Sequence, residues 1–166
     1  MMQQHSNPSR RYVVTADGSQ ATLYSCTPGT HGRARVEKLD SVGNTHLDEH
    51  ERHRPTLLDA ARRGHAMPSM RATSFPHSAS QGHEVEEEQR RFAHDVKNWL
   101  GRNREVVGAA PLTIFAPPHF LGLLRHQLGD PAGANPGAPD LRECELTHLQ
   151  PNQLAEHPAV RSLLAF

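Results

Sequence analysis

Residues 112–129 read LTIFAPPHFLGLLRHQLG and join a short apolar run to an amphipathic segment through two prolines. The run 112–116 is almost continuously apolar, which predicts an interior strand that is covered on both faces. Pro118 suits the first turn of a helix, where a missing N–H leaves no hydrogen bond unmade. The side chains expected on the inner face of that helix are Phe120, Leu121, Leu124 and Leu128. The stretch therefore predicts a strand followed by a helix that packs against a sheet.

Three further strands are predicted before this unit, and a last one follows it. Residues 11–26 contain two β-prone runs separated by Asp17-Gly18, which is typical of a tight hairpin because glycine tolerates positive φ. A third strand is predicted over residues 33–42, and the last near residues 141–146. The apolar points of the third strand are Val36, Leu39 and Val42.

A long helix is predicted over residues 84–103. Four apolar side chains share one stripe at helical spacing: Phe92, Val96, Trp99 and Leu100. Two short helices are predicted after Thr147. The resulting order is three strands, a helix, a strand, a helix, a strand and terminal helices. It predicts a single-domain α/β protein with a mixed sheet of about five strands and helices packed on it.

The chain has 166 residues, which is enough for one domain with a core of its own. Residues 1–10 are predicted to be a disordered leader, and residues 11–166 form the domain. Within it, residues 43–83 mix proline, serine, glycine, histidine and arginine without sustained periodicity. A segment of this length without regular structure predicts a mobile insertion.

Composition excludes several classes of protein. Lysine plus arginine (18) balance aspartate plus glutamate (18), so a uniformly basic nucleic-acid binder is not expected. A basic face on one part of the surface is still compatible with this balance. The sequence contains no apolar run of membrane-spanning length and no signal-peptide core, which predicts a cytoplasmic protein without a membrane partner. Two widely separated cysteines predict reduced thiols rather than a disulfide framework.

A histidine-rich segment is the first candidate for metal chemistry. His46, His50 and His53 recur at i, i+4 and i+7 in HLDEHERH, so a helix would place them on one face. The pattern is one residue short of the metalloprotease motif, and no apolar stripe fixes its geometry. A solvated loop is therefore the preferred interpretation, with a metal site as the alternative.

A ribonuclease-H-like nuclease is the second candidate. Such enzymes hold two Mg²⁺ ions with a carboxylate on the first strand and others around the sheet. Asp17 stands at the corresponding place, and Asp95 and Asp140 are its conceivable partners. The hairpin accounts equally well for Asp17.

Other reaction classes lack their signatures. The sequence has no nucleophile elbow, P-loop or dinucleotide fingerprint, and neither cysteine has a neighbouring base. His119 follows the two prolines at the start of a helix, where a structural turn explains it. No catalytic residue and no cofactor are predicted.

Four stretches together resemble a bacterial family called host attachment proteins. They are RYVVTADGSQATLY (11–24), RRFAHDVKNWL (90–100), LTIFAPPHFLGLLRHQLG (112–129) and ECELTHLQPNQLAEHPAVRSLL (143–164). The family resembles bacterial release-factor-like proteins and, through them, the middle domain of class-1 release factors and Pelota. The resemblance implies an α/β domain in which a mobile loop leads into a helix.

The resemblance also implies where a release-factor loop would lie. Gln81-Gly82 is expected in the loop and Arg91-Phe92 on the helix, as the catalytic glutamine and an Arg-Phe pair are in release factors. The chain departs from that pattern because it has no Gly-Gly-Gln and places four glutamates between loop and pair. Carboxylates are repelled by phosphate, so hydrolysis of peptidyl-tRNA is not expected.

The sequence is accordingly interpreted as a non-enzymatic binding protein. The expected partners are ribosomes or RNA, or else a protein that the sequence does not identify, and the role in attachment is expected to be indirect rather than that of an adhesin. The candidate binding residues are Gln81, Gly82, Arg90, Arg91, His119 and Arg125. The alternative is the metal-dependent nuclease.

Overall fold

The computed structural model describes residues 10–47, 77–129 and 137–164. In chain order its elements are β1 (Arg11–Ala16), β2 (Gln20–Pro28), β3 (Ala34–Gly43), α1 (His77–Arg102), α2 (Arg104–Val107), β4 (Leu112–Ala116), α3 (Pro118–Leu128), β5 (Asp140–Glu143), α4 (Pro151–Glu156) and α5 (Pro158–Leu164). A short 3₁₀ turn, Thr30–Gly32, lies between β2 and β3.

The five strands form one mixed sheet in the order β3-β2-β1-β4-β5. Strand β1 pairs antiparallel with β2, which pairs antiparallel with β3. On its other side β1 pairs parallel with β4, and β4 pairs parallel with β5. The predicted fold class, a single α/β domain with five strands in a mixed sheet, is confirmed.

Helices cover both faces of the sheet. On the first face α1 and α3 pack side by side, and the rings of Phe92 and Phe120 stack with their centroids 5.7 Å apart. On the second face α4 and α5 bury Leu154 and Val160. Strand β1 supplies both cores, because Val14 contacts the first face and Val13 the second.

The hairpin between β1 and β2 forms where Asp17-Gly18 predicted it. The N–H of Asp17 donates to the carbonyl of Gln20 at 2.9 Å, which closes the turn. The Gln89 side chain of α1 lies so close to Gly18 that a Cβ there would be 2.6 Å from its amide nitrogen. A side chain at residue 18 would therefore require the Gln89 side chain to move, and since the φ of Gly18 is not positive, the conformational reason expected for this glycine does not apply.

A β-bulge in β3 decides which of its side chains reach each core. Leu23 pairs with Asp40 while the next residue, Tyr24, pairs with Lys38, so Leu39 is the extra residue. The expectation that Leu39 is an apolar point of the strand is wrong, since its side chain is 43% exposed. An extra residue reverses the alternation of faces. Val36 consequently packs on the second face and Val42 on the first.

The same bulge turns Asp40 toward α1. The indole Nε1 of Trp99 donates to Asp40 Oδ2 at 2.7 Å, and the Asn103 side-chain amide donates to the same oxygen at 3.1 Å. These hydrogen bonds from Asn103 and Trp99 lower the pKa of the exposed Asp40 carboxyl. They tie the end of α1 to the outer strand of the sheet.

Two expected boundaries differ from the observed ones. The last strand ends at Glu143 instead of near residue 146, although Leu146 is still buried beyond its end. Helix α1 already includes His77, so Gln81 and Gly82 lie in the helix and not in a loop before it. An established helix extends at low cost, and one interior glycine opposes it by only about 1 kcal/mol. The leader residues 1–9 and the insertion residues 48–76 lie outside the described residues.

The stacked ring of Phe92 provides a direct test of the first core. Replacing it as Phe92→Ala is expected to lower the free energy of unfolding by about 3–5 kcal/mol, because a fully buried ring leaves a cavity. Val85→Ala is the matched control on the same helix, since Val85 is 44% exposed and should change the value by less than about 0.5 kcal/mol. Urea unfolding of both variants measures the difference, and equal effects would contradict the described packing of α1.

Candidate functional site

The Asp17 carboxylate connects two segments of the chain through hydrogen bonds. Its Oδ1 accepts hydrogen bonds from the backbone N–H groups of Ser19 at 2.7 Å and Gln20 at 2.9 Å, and also from the Ser19 hydroxyl. Its Oδ2 accepts from the Thr147 hydroxyl at 2.7 Å. The carboxylate therefore joins the β1–β2 hairpin to the segment that follows β5.

The electrostatics of Asp17 follow from these contacts. Partial burial opposes ionisation, but the hydrogen bonds from Ser19, Thr147 and Gln20 outweigh it and lower the pKa of the Asp17 carboxyl. A general base for catalysis at neutral pH has its pKa moved toward neutrality. The lowered pKa is instead what a carboxylate held ionised as a hydrogen-bond acceptor displays.

The three aspartates of the predicted nuclease site are not brought together. In the parallel strands Asp140 pairs with Thr113, and Thr113 pairs with Val13. Asp140 therefore lies beside Val13, which precedes Asp17 by four residues along β1. That offset is about 13 Å along the strand direction. Asp140 contacts Arg142 at 2.7 Å at this far end.

Asp95 is occupied elsewhere. Its Oδ2 lies 3.1 Å from Nε2 of His46, which joins α1 to the residues after β3. His46 is the one member of the predicted histidine set within the described residues; His50 and His53 lie outside them. Among the described residues no three histidine, cysteine or carboxylate side chains are grouped so that they could hold a metal ion.

The topology gives a physical reason for this dispersal. Ligand crevices in open α/β sheets form where successive crossover helices diverge to opposite faces at the carboxyl ends of the strands. Here the crossovers from β1 to β4 and from β4 to β5 both place their long helices, α1 and α3, on the first face. The described crossovers therefore do not create a switch-point crevice.

The predicted RNA-contacting arginines of α1 are exposed and have acidic partners. Arg90 lies 3.2 Å from Glu87 and 3.7 Å from Glu86, and Arg91 lies 3.5 Å from Glu87. Exposed pairs of this kind contribute little stability, but they reduce the charge available to a phosphate. The two arginines predicted from the sequence are therefore weaker anchors than the residue types alone indicate.

Two further cations, one on α1 and one on α3, have no such partners among the residues that the structure describes. Nδ1 of His94 lies 3.3 Å from the Gln127 side-chain oxygen, so this side of α1 adjoins the end of α3. Lys97 follows His94 by three residues and is exposed, and Arg125 is exposed on α3. Neither Lys97 nor Arg125 forms an ion pair with a described residue.

Helices α1 and α3 lie side by side over the first core, and we call the exposed side of this pair of helices the helical face. Its exposed basic and histidine side chains include Arg90, Arg91, His94, Lys97, His119 and Arg125. His119 lies at the start of α3, as predicted, and it is exposed, whereas Gln81 and Gly82 lie farther along α1 toward its beginning. Lys97 was not among the candidates from the sequence. Its spacing from His94, outside the stripe containing Phe92 and Val96, is the signal that could have found it.

The structure thus defines a single-domain α/β protein that presents a histidine- and cation-bearing helical surface. A family model described as "Protein required for attachment to host cells" matches residues 12–157. This match covers most of the chain, and the protein belongs to that family. No curated protein matches the chain. Within the residues that the structure describes, no helix has both the length and the apolar content needed to cross a bilayer.

The structural role of Asp17 predicts a defined pH dependence. The pKa of Asp17 is lower in the folded than in the unfolded chain, so its stabilisation is complete above about pH 4 and is lost as the pH falls through the folded pKa. Asp17→Asn should lower the free energy of unfolding by about 1–2 kcal/mol near neutral pH, because a charged acceptor is lost.

The same variant tests the direction of this pH dependence. The difference between wild type and Asp17→Asn should be constant above about pH 4 and shrink as the pH falls below it, measured by urea unfolding at each pH. Asp140→Asn is the control, because its exposed pair with Arg142 should contribute less than about 0.5 kcal/mol. A difference that stays constant down to the acid limit would show that Asp17 does not act through its charge.

Proposed function

We propose that this protein is a non-enzymatic cytoplasmic binding protein that associates with RNA, free or in the ribosome, through the helical face. The observation that supports this most directly concerns Lys97 and Arg125, which lie on two adjoining helices. Both are exposed, and neither forms an ion pair with another residue that the structure describes. Phosphate binding by such cations releases condensed counterions and provides affinity without sequence preference.

The distribution of charge along α1 supports the same proposal. The segment 84–88 contains four glutamates, whereas the segment 89–102 contains four cations and Asp95 as its one acidic residue. Helix α3 adds Arg125 and contains no acidic residue. An RNA backbone would therefore lie over the later part of α1 and over α3, away from the glutamates that repel it.

Peptide release is not part of the proposal. Phe92, the aromatic member of the Arg-Phe pair, is fully buried against Phe120 and serves the core. Gln81-Gly82 is helical, whereas the release-factor resemblance implied a loop. What the resemblance supports is association with the translation machinery, with Arg91 as the available member of the pair.

The cytoplasmic location is proposed on chemical grounds. Cys26 is buried and Cys144 is half-buried, and both are free thiols. Burial raises the pKa of the Cys26 thiol to about 12, which keeps it protonated and unreactive. Two unpaired cysteines fit a reducing compartment, where ribosomes and RNA are also found.

RNA association predicts a measurable dependence on salt. Lys97→Gln and Arg125→Gln should each weaken binding to a mixed-sequence single-stranded RNA and reduce the slope of log K against log salt concentration by about 0.7. Fluorescence anisotropy over a series of salt concentrations measures both quantities, and co-sedimentation with purified ribosomes shows whether the ribosome is the preferred partner.

The matched control is Lys38→Gln. Lys38 is an exposed cation of β3 and pairs with Tyr24, whose side chain packs on the second face, so it lies across the sheet from the helical face. Its replacement should leave the slope unchanged. If the wild-type protein neither binds RNA nor co-sediments with ribosomes at low salt, the proposal is wrong.

The competing nuclease function is tested with the same preparation. A two-metal nuclease needs carboxylates that converge on the ions, and Asp17, Asp95 and Asp140 each have other partners in the described structure. We expect no cleavage of mixed RNA or DNA with Mg²⁺ or Mn²⁺. Cleavage that disappears in Asp17→Asn while the variant remains folded would establish the nuclease instead.

A further inference from the structure

A second polar surface lies on the other side of the sheet from the helical face. It is an open groove of about 680 Å³ between the β2–β3 loop and the two terminal helices. Its lining residues are His31, Arg33, Ala34, Asn152, Ala155, Glu156 and Arg161. A groove of this size accommodates a small organic molecule rather than a single ion.

The β2–β3 loop holds its side of the groove in a constrained conformation. The N–H of Gly29 donates to the Arg33 carbonyl at 2.7 Å, and a Cβ on Gly29 would lie 2.3 Å from that oxygen. His31 adopts left-handed backbone angles, with φ 61° and ψ 32°. This conformation costs about 1–2 kcal/mol in a residue with a side chain. The loop therefore positions Arg33 at considerable local cost.

The opposite wall is anchored by the second core. Leu154 of α4 and Val160 of α5 are buried beneath the sheet, and α4 packs against β3. The N–H of Arg161 donates to the His157 carbonyl at 2.9 Å, which fixes the helical turn that carries the guanidinium. Arg33 and Arg161 thus approach one groove from independent, fixed elements.

The charges of the groove favour an anion. Arg33 and Arg161 are exposed, and neither forms an ion pair with a residue in the described ranges. Asn152 contributes an amide that can donate a hydrogen bond. Glu156 is the acidic residue of the lining and can accept a hydrogen bond from a hydroxyl or amino group.

We propose that this groove binds a phosphate monoester the size of a nucleotide or a sugar phosphate. Phosphate suits two guanidinium groups on different walls because its three terminal oxygens can accept hydrogen bonds from both groups at once. A carboxylate has only two oxygens and is better matched to one guanidinium group. Arg33 and Arg161 hold the phosphate, and Glu156 accepts a hydrogen bond from a hydroxyl of the sugar. The site is independent of the RNA association proposed above.

The test is calorimetric titration of the full chain with AMP, ribose 5-phosphate and inorganic phosphate, using adenosine as the uncharged counterpart. Saturable binding of AMP or ribose 5-phosphate is expected, with competition by inorganic phosphate and no binding of adenosine. Arg33→Gln and Arg161→Gln should each weaken the binding about tenfold or more, as expected for loss of a charge-assisted hydrogen bond.

Arg35→Gln is the matched control. Arg35 is an exposed arginine of β3 that follows Arg33 by two residues, but it is paired with Glu37 and does not line the groove. It should leave the affinity unchanged, and unaltered thermal unfolding of all three variants would show that they are folded. The proposal is overturned if neither phosphate monoester binds, if adenosine binds equally well, or if Arg35→Gln weakens binding as much as Arg33→Gln. It is equally overturned if Arg33→Gln and Arg161→Gln reduce RNA binding while leaving AMP binding intact.

Discussion

Burial of both faces of β1 is the constraint on which the rest of this structure depends. Val13 and Val14 point in opposite directions and are both removed from water, so the strand requires a cover on each side. Each buried aliphatic side chain contributes about 1.5–3 kcal/mol to the free energy of unfolding. If one pair of helices were removed, the side chains on that face of β1 would lose this contribution. Helices α1 and α3 supply one cover, and α4 and α5 supply the other.

The two proposed binding surfaces follow from this arrangement. Each pair of covering helices has an outer side exposed to water, and exposed polar side chains on it are free to meet a ligand. The first pair presents Lys97 and Arg125, while the second pair, with the β2–β3 loop, presents Arg33 and Arg161. The carboxylates Asp17 and Asp95 are engaged in holding segments together, so neither is offered for ligand binding on these two surfaces.

The strands and the helix cores were predictable from local pattern. The run 112–116 and the apolar spacing after Pro118 gave the observed bounds of β4 and α3, because periodicity and proline act over a few residues. The bulge at Leu39 was not predictable, since it is defined by the pairing of β3 with β2. Of the candidate site, the position of His119 at the start of a helix and the closeness of glutamates to Arg90 and Arg91 could be predicted from the sequence, whereas the particular ion pairs with Glu86 and Glu87 depend on side-chain conformations that only the structure gives.

The sequence by itself determined the α/β class, the order of the elements and the hairpin at Asp17-Gly18, because these depend on neighbours along the chain. Only the tertiary structure decided that Asp17 bonds to Thr147, that Asp140 lies at the far end of the sheet, and that Arg33 and Arg161 share a groove. These pairs are distant in sequence. The sheet order and the return of the terminal helices bring them together or apart, and no local periodicity encodes that.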